Sequence, residues 1–230
     1  MYEILGPKPP ESEPAGPAIR WMTDAYLKIG VLERKPPVRF LWFTDPDHTA
    51  HNRGIGASET VESIRLVDEQ LARILDFHRA QNLKVNVFIV ADHGFVTRGG
   101  PFEVAGALKK AGFNETARPL IIDGAIYLRT QDEPRLPEMV RALQENPTIG
   151  PIFTPAKKRG DWKGIASGTL SHDLVHSGHP HGAQIIAYPN WTAERNSAGY
   201  AGKANAPGTA GHGGTSPWEI NAVFAAFGPD

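Results

Sequence analysis

The apolar run Val85 to Val90, broken only by Asn86, ends abruptly at Ala91-Asp92-His93-Gly94, and this switch constrains the fold more than any other feature of the chain. A run that apolar is usually a strand buried on both faces of a sheet. A second β-rich run, Val38-Arg39-Phe40-Leu41-Trp42-Phe43, switches in the same way at Thr44-Asp45-Pro46-Asp47. Between the two, Ser58 is placed to cap the longest helix, whose stripe Val61, Ile64, Val67, Leu71 and Ile74 is expected to face the core. Strands alternating with helices predict an α/β layered fold. In such folds the polar residues just past strand ends line the ligand crevice. Asp45 to His51 and Asp92-His93 are therefore the loops to watch.

The remaining elements fill in around them. Apolar spacing predicts a helix over Ile19–Ile29 ending near Gly30, one over Phe102–Ala111 closed by Gly112, and one over Leu136–Asn146. Ile121-Ile122 and Ala125–Leu128 flank Asp123-Gly124, a hairpin signal. Gly150 to Gly214 is rich in Gly, Pro, Ser and His, with one clear strand at Gln184–Tyr188; Ala222–Phe227 reads as the last strand.

Composition removes several function classes. With 24 Lys+Arg against 25 Asp+Glu the net charge is −1, so no global field draws nucleic acid, and phosphate recognition has to be local. The absence of cysteine excludes disulfide scaffolds, thiol nucleophiles and Cys-type zinc sites. No apolar run has membrane-spanning length, and Met1-Tyr2-Glu3-Ile4 does not read as a signal peptide. At 230 residues the chain has ample length for a buried core.

Three positions join His to Asp or to glycine in ways that suit a metal. Asp47 and His51 lie four apart, so a single helical turn aims both to one side. Asp92 and His93 are adjacent at a strand end. His212 stands between Gly211 and Gly213, where the backbone can approach an ion closely. Carboxylate plus neutral imidazole suits zinc, with manganese or iron as competitors. Each motif alone also fits a plain reading: a surface loop, a helix cap, or a histidine bonded to a turn. The run His172, His176, His179, His181 reads as a solvated loop, and Asn52-Arg53 as exposed residues within reach of a phosphate.

Taken together, the blocks resemble a known family. Leu41-Trp42-Phe43-Thr44-Asp45-Pro46-Asp47-His48-Thr49-Ala50-His51-Asn52-Arg53-Gly54, then Val87-Phe88-Ile89-Val90-Ala91-Asp92-His93-Gly94-Phe95, then Gly211-His212-Gly213-Gly214-Thr215-Ser216-Pro217 are similar, in this order, to three blocks of the type I phosphodiesterase/nucleotide pyrophosphatase family of the alkaline phosphatase superfamily. The resemblance implies a layered alkaline-phosphatase-like fold, with a largely parallel central sheet flanked by helices. Residues 1–230 would form part of that domain, its N-terminal part missing. It implies two divalent ions, zinc or alternatively manganese. Asp47, His51 and His212 would hold one, and Asp92 and His93 would contribute to the other, with Asp45 and His48 orienting His51. In the family an aspartate ligand and a Thr or Ser nucleophile precede the first of these blocks, and neither has a match here.

The activity implied is hydrolysis of phosphodiester or phosphoanhydride bonds in a small nucleotide or diester substrate, with this chain inactive or impaired for lack of a nucleophile. Alternatives are a phosphomonoesterase, phosphonate hydrolase or phosphoglycerate mutase of the same superfamily, or a non-catalytic metal-binding module. Relatives often act outside the cytoplasm, which points to a periplasmic or secreted parent, while the residues themselves leave compartment and oligomeric state open. A strand missing from the sheet is further expected to leave an unpaired edge and to promote aggregation.

Overall fold

The structure is a computed structural model that describes residues 2–113 and 120–228. The chain opens with a short helix α1 (Tyr2–Leu5) and α2 (Gly16–Ala25). The helix expected to stop at Gly30 instead runs on as a π-helix, Tyr26–Arg34, and closes at Lys35 with a left-handed φ of 50°. Leu27 and Val31 lie on its buried side, where they pack with Ile74, and this packing outweighs the glycine.

Next come α3 (Asp47–Arg53), α4 (Ser58–Ala80), β1 (Val87–Val90), β2 (Val96–Arg98) and α5 (Val104–Lys110). The antiparallel hairpin β3 (Leu120–Ile122) and β4 (Ala125–Tyr127) turns at Asp123-Gly124. Both turn residues have positive φ, 46° and 88°, as a two-residue turn of this hand requires. A 3₁₀ turn at Thr130–Arg135 leads into α6 (Leu136–Gln144), then β5 (Ile149–Thr154), β6 (Leu170–Ser171), β7 (Ile185–Pro189), β8 (Trp191–Arg195), β9 (Ala201–Ala204), β10 (Ala210–Gly211), α7 (Pro217–Ile220) and β11 (Phe224–Phe227).

The fold is α/β, with the strands in three sheets: β3-β4-β7-β5-β6, β10-β2-β9-β8, and the ribbon β1-β11. Among the described residues only the pairs β2/β9 and β5/β6 run parallel; the others are antiparallel. This corrects the expectation of a largely parallel central sheet. Parallel neighbours need crossovers of a dozen residues or more, and hairpins such as β3-β4 and β8-β9 are too tightly joined to provide them.

The core is built on the five-stranded sheet, where Val104, Leu108, Ile126, Leu136, Met139, Leu143, Ile152 and Ile185 close one continuous cluster under α5 and α6. Three further expectations are corrected. Val38–Phe43 joins no sheet among the described residues; Phe40 is 95% exposed, and Leu41 alone of the run packs against the Leu27, Val31 and Ile74 cluster. The run ending at Val90 is a strand but is not buried on both faces: Phe88 is 65% exposed. In α4, Ser58 is the first helical residue rather than the cap, and the buried face is Thr60, Ser63, Gln70, Ile74 and His78, with Ile64 pointing outward. Helix α2 lies against that mixed face, and small or hydrogen-bonded groups let the two helices approach. Among the described residues no helix is long and apolar enough to cross a membrane.

Candidate metal centre

Helix α3 starts where Asp45, only 3% exposed, turns its carboxylate on the local backbone. Its Oδ1 accepts from the Thr49 N–H (3.0 Å) and the Thr49 hydroxyl (2.9 Å), satisfying first-turn donors that a helix leaves open, and Oδ2 accepts from the Ala15 N–H (2.7 Å). Asp45 therefore anchors the helix and not the His51 ring. His48 points away too, 3.6 Å from Glu13. Glu13 also accepts from Asn52 Nδ2 (2.5 Å) and Arg53 Nε (3.0 Å), so the arginine considered for a phosphate is held by a carboxylate here.

On the opposite face of α3, Asp47 and His51 stand one turn apart, as their spacing predicts, with Asp47 Oδ1 3.5 Å from His51 Nε2. The same oxygen lies 3.3 Å from Nε2 of His212, on the loop after β10, and 3.9 Å from Nε2 of His93, on the loop after β1. Asp47, His51 and His212 each offer one ligand atom within 4.8 Å of the others. The rings of His93 and His212 are stacked at 3.4 Å, and Phe95 packs against all three imidazoles. Asp92 stands at the solvent side, its Oδ2 3.4 Å from His93 Nε2. Residues separated by up to 165 positions thus meet in one place.

Hydrogen bonds on the far side of two rings fix what faces inward. His51 Nδ1 lies 3.1 Å from the Ala210 carbonyl and His93 Nδ1 2.9 Å from the Gly94 carbonyl. A carbonyl only accepts, so each Nδ1 carries a proton, and in the neutral ring Nε2 is then the nitrogen that turns its lone pair toward Asp47. Asp47 Oδ1 is buried and has no hydrogen-bond donor. Acceptors gathered around an orphaned carboxylate oxygen repel one another until a cation sits among them. A proton is a poor tenant at neutral pH, because burial, and then the neighbouring His93, hold the His212 pKa below the ordinary imidazole value against the pull of Asp47. The donor set of one carboxylate and two neutral imidazoles fits a divalent transition metal, zinc foremost.

Sequence reasoning missed the parts that lock these ligands. Arg98 on β2 donates to the His212 carbonyl (2.7 Å). Glu219, buried on α7, accepts from the Gly214 N–H (2.8 Å) and from the Ser216 hydroxyl (2.5 Å), while its own carbonyl accepts from the Gly94 N–H (2.7 Å). One residue so ties the His212 loop to the His93 loop. The Ser216-x-x-Glu219 capping box was readable as a pattern; Arg98 had no signal. The histidine-rich run stays a separate feature. His172 is buried, His179 and His181 pack together at 5.5 Å, and Asp173 accepts from the Gly160 N–H.

The sequence profile of the type I phosphodiesterase / nucleotide pyrophosphatase family matches residues 11–200. Among solved structures, murine ectonucleotide pyrophosphatase/phosphodiesterase 5, an inactive form in complex with AMP, aligns at 18% identity with a TM-score of 0.59, covering 96% of this chain and 54% of that one. The human counterpart aligns at 16% identity with a TM-score of 0.56 and the same coverage. The chain thus spans about half the length of these structures, and at such identities the likeness speaks for the fold. A search of curated proteins finds no match.

Proposed function

Because the chain belongs to the type I phosphodiesterase / nucleotide pyrophosphatase family, we propose that residues 1–230 are part of a domain that hydrolyses phosphodiester or phosphoanhydride bonds, and that this part holds the metal. Asp47, His51 and His212 bind one divalent ion, zinc or else manganese, and Asp92 and His93 contribute to a second. The observation that carries the reading is the buried, donor-free Oδ1 of Asp47 facing three imidazole Nε2 atoms. Bound ions would polarise a phosphoryl oxygen and stabilise charge on the leaving oxygen.

The chain's own residues do the rest of the positioning. The Ala210 and Gly94 carbonyls hold His51 and His93 in the tautomer that can ligate. Arg98 and Glu219 keep the His212 loop in place. Phe95 packs against all three rings and gives them an apolar wall on one side, while the other side stays partly open to solvent. No Ser or Thr of the chain is assigned the nucleophile's role, so turnover is expected to be slow. The test is hydrolysis of bis-p-nitrophenyl phosphate and of p-nitrophenyl phosphate by zinc-loaded protein. The reading expects weak, zinc-dependent cleavage of the diester ahead of the monoester, abolished by Asp47→Ala. A monoester preference, or a rate indifferent to Asp47, would overturn it.

A further inference from the structure

Asp92 and His93 by themselves offer an ion two protein ligands, whereas zinc in proteins takes three or four. The rings beside them limit where another ligand can come from. His93 and His212 stack with centroids 3.4 Å apart and planes 13° from parallel. The lone pair of an imidazole nitrogen lies in the plane of its ring, so in two rings stacked this closely the lone pairs run side by side and do not meet on one ion. The Nε2 atoms of His93 and His212 therefore serve different ions. Ions held in this way stand about one ring spacing apart, close to the ~3.5–4 Å of two-metal sites.

The Oδ1 atom of Asp47 faces both nitrogens, 3.3 Å from His212 Nε2 and 3.9 Å from His93 Nε2. Two ligands of one tetrahedral zinc, each bound at about 2.0–2.1 Å, stand about 3.3 Å apart. Asp47 and His212 already have that spacing, and His93 comes to it by a shift of about half an ångström, small enough to stay within one rotamer. The Asp47 side chain is 45% exposed, yet Oδ1 itself is buried and receives no hydrogen bond. A carboxylate oxygen carries two lone pairs, so both are free here, one for each ion. Asp92 completes the group from the open side: its Oδ2 lies 3.4 Å from His93 Nε2, and its half-exposed side chain is free to turn onto an ion.

We infer that Asp47 Oδ1 is a shared ligand that bridges the two ions and supplies the second site with the ligand that Asp92 and His93 lack. The inference rests on the two-ion reading and adds the atom that joins the sites. Its test is metal analysis after dialysis against zinc, paired with electron paramagnetic resonance of the manganese(II)-loaded chain. Wild type is expected to retain two ions and to show the halved hyperfine spacing of an oxygen-bridged manganese pair. Asp92→Ala is expected to retain one ion with an uncoupled spectrum, and Asp47→Ala neither, with far-UV circular dichroism unchanged in both as the control for folding. A wild type with one ion, or with two uncoupled ions, would overturn the inference, as would an Asp47→Ala variant that keeps an ion. Retention of both ions by the His51→Ala/His212→Ala double variant would instead overturn the metal reading itself, and the inference with it.

Discussion

The strands of the five-stranded region are no more apolar in sequence than those of the β1-β11 ribbon, yet it is the five-stranded region that makes a core. In the first, α5 and α6 lie on the sheet and Ile126, Met139, Leu143 and Ile185 lose all contact with water. In the second, Phe88 and Phe224 on the ribbon stand in solvent, as does Phe40 in the unpaired run before α3. Apolar side chains stabilise a fold only when a second layer removes their surface from water, at roughly 25 cal/mol per Å². The candidate metal centre joins the ribbon to better anchored loops. Asp92 and His93 follow the exposed strand, whereas the α3 and β10 loops are anchored by buried polar bonds.

This contrast is broken most directly by mutation in the packed region. Leu143→Ala should cost about 2–5 kcal/mol, because its neighbours cannot collapse into the space. Urea unfolding measures it, and a loss below about 1 kcal/mol would mean that the cluster is loosely packed.

Metal comes next. Zinc at a hundredfold excess over its dissociation constant should raise stability by about 2.7 kcal/mol, and chelation should remove that gain. His212→Ala should abolish the zinc-dependent rise in Tm while shifting the metal-free Tm little, since the His212 side chain is only partly buried.

A pH scan sharpens the comparison further. Burial holds His78 and His172 below the ordinary imidazole pKa, and in His78 neither ring nitrogen has a hydrogen-bond partner. Unfolded, both take protons near pH 6.5; folded, they resist. The unfolded state thus binds more protons below that pH, and stability should fall as pH drops from about 6.5 toward the folded values. His78→Leu should flatten this slope in denaturant titrations, and an unchanged slope would count against it. The smallest effect is expected in the open region, where Phe40→Ser should change stability by no more than about 0.5 kcal/mol in the same assay.

Local signals were the legible ones. The Asp123-Gly124 turn, the helical turn joining Asp47 to His51, and the strands near residues 185 and 224 each follow from a few neighbouring residues. The misses depend on distant partners. Strand β5 contains Gly150-Pro151 and takes its place only through β6 and β7. Strand β8 is mostly exposed, and β9 consists of small residues and a lysine, so neither shows an alternating pattern. The inward face of α4 is set by α2, which a stripe of Val, Ile and Leu does not reveal. In the site the ligand types were readable, but Arg98 and the Ala210 carbonyl were not, because a hydrogen bond across a hundred residues leaves no local spacing.

The central claim concerns the group around Asp47, and cobalt(II) titration followed by visible absorption tests it most directly. The account predicts saturable d–d bands of a low-coordinate N/O site, lost in the His51→Ala/His212→Ala double variant and displaced by zinc. Bands of equal intensity in that double variant would contradict it.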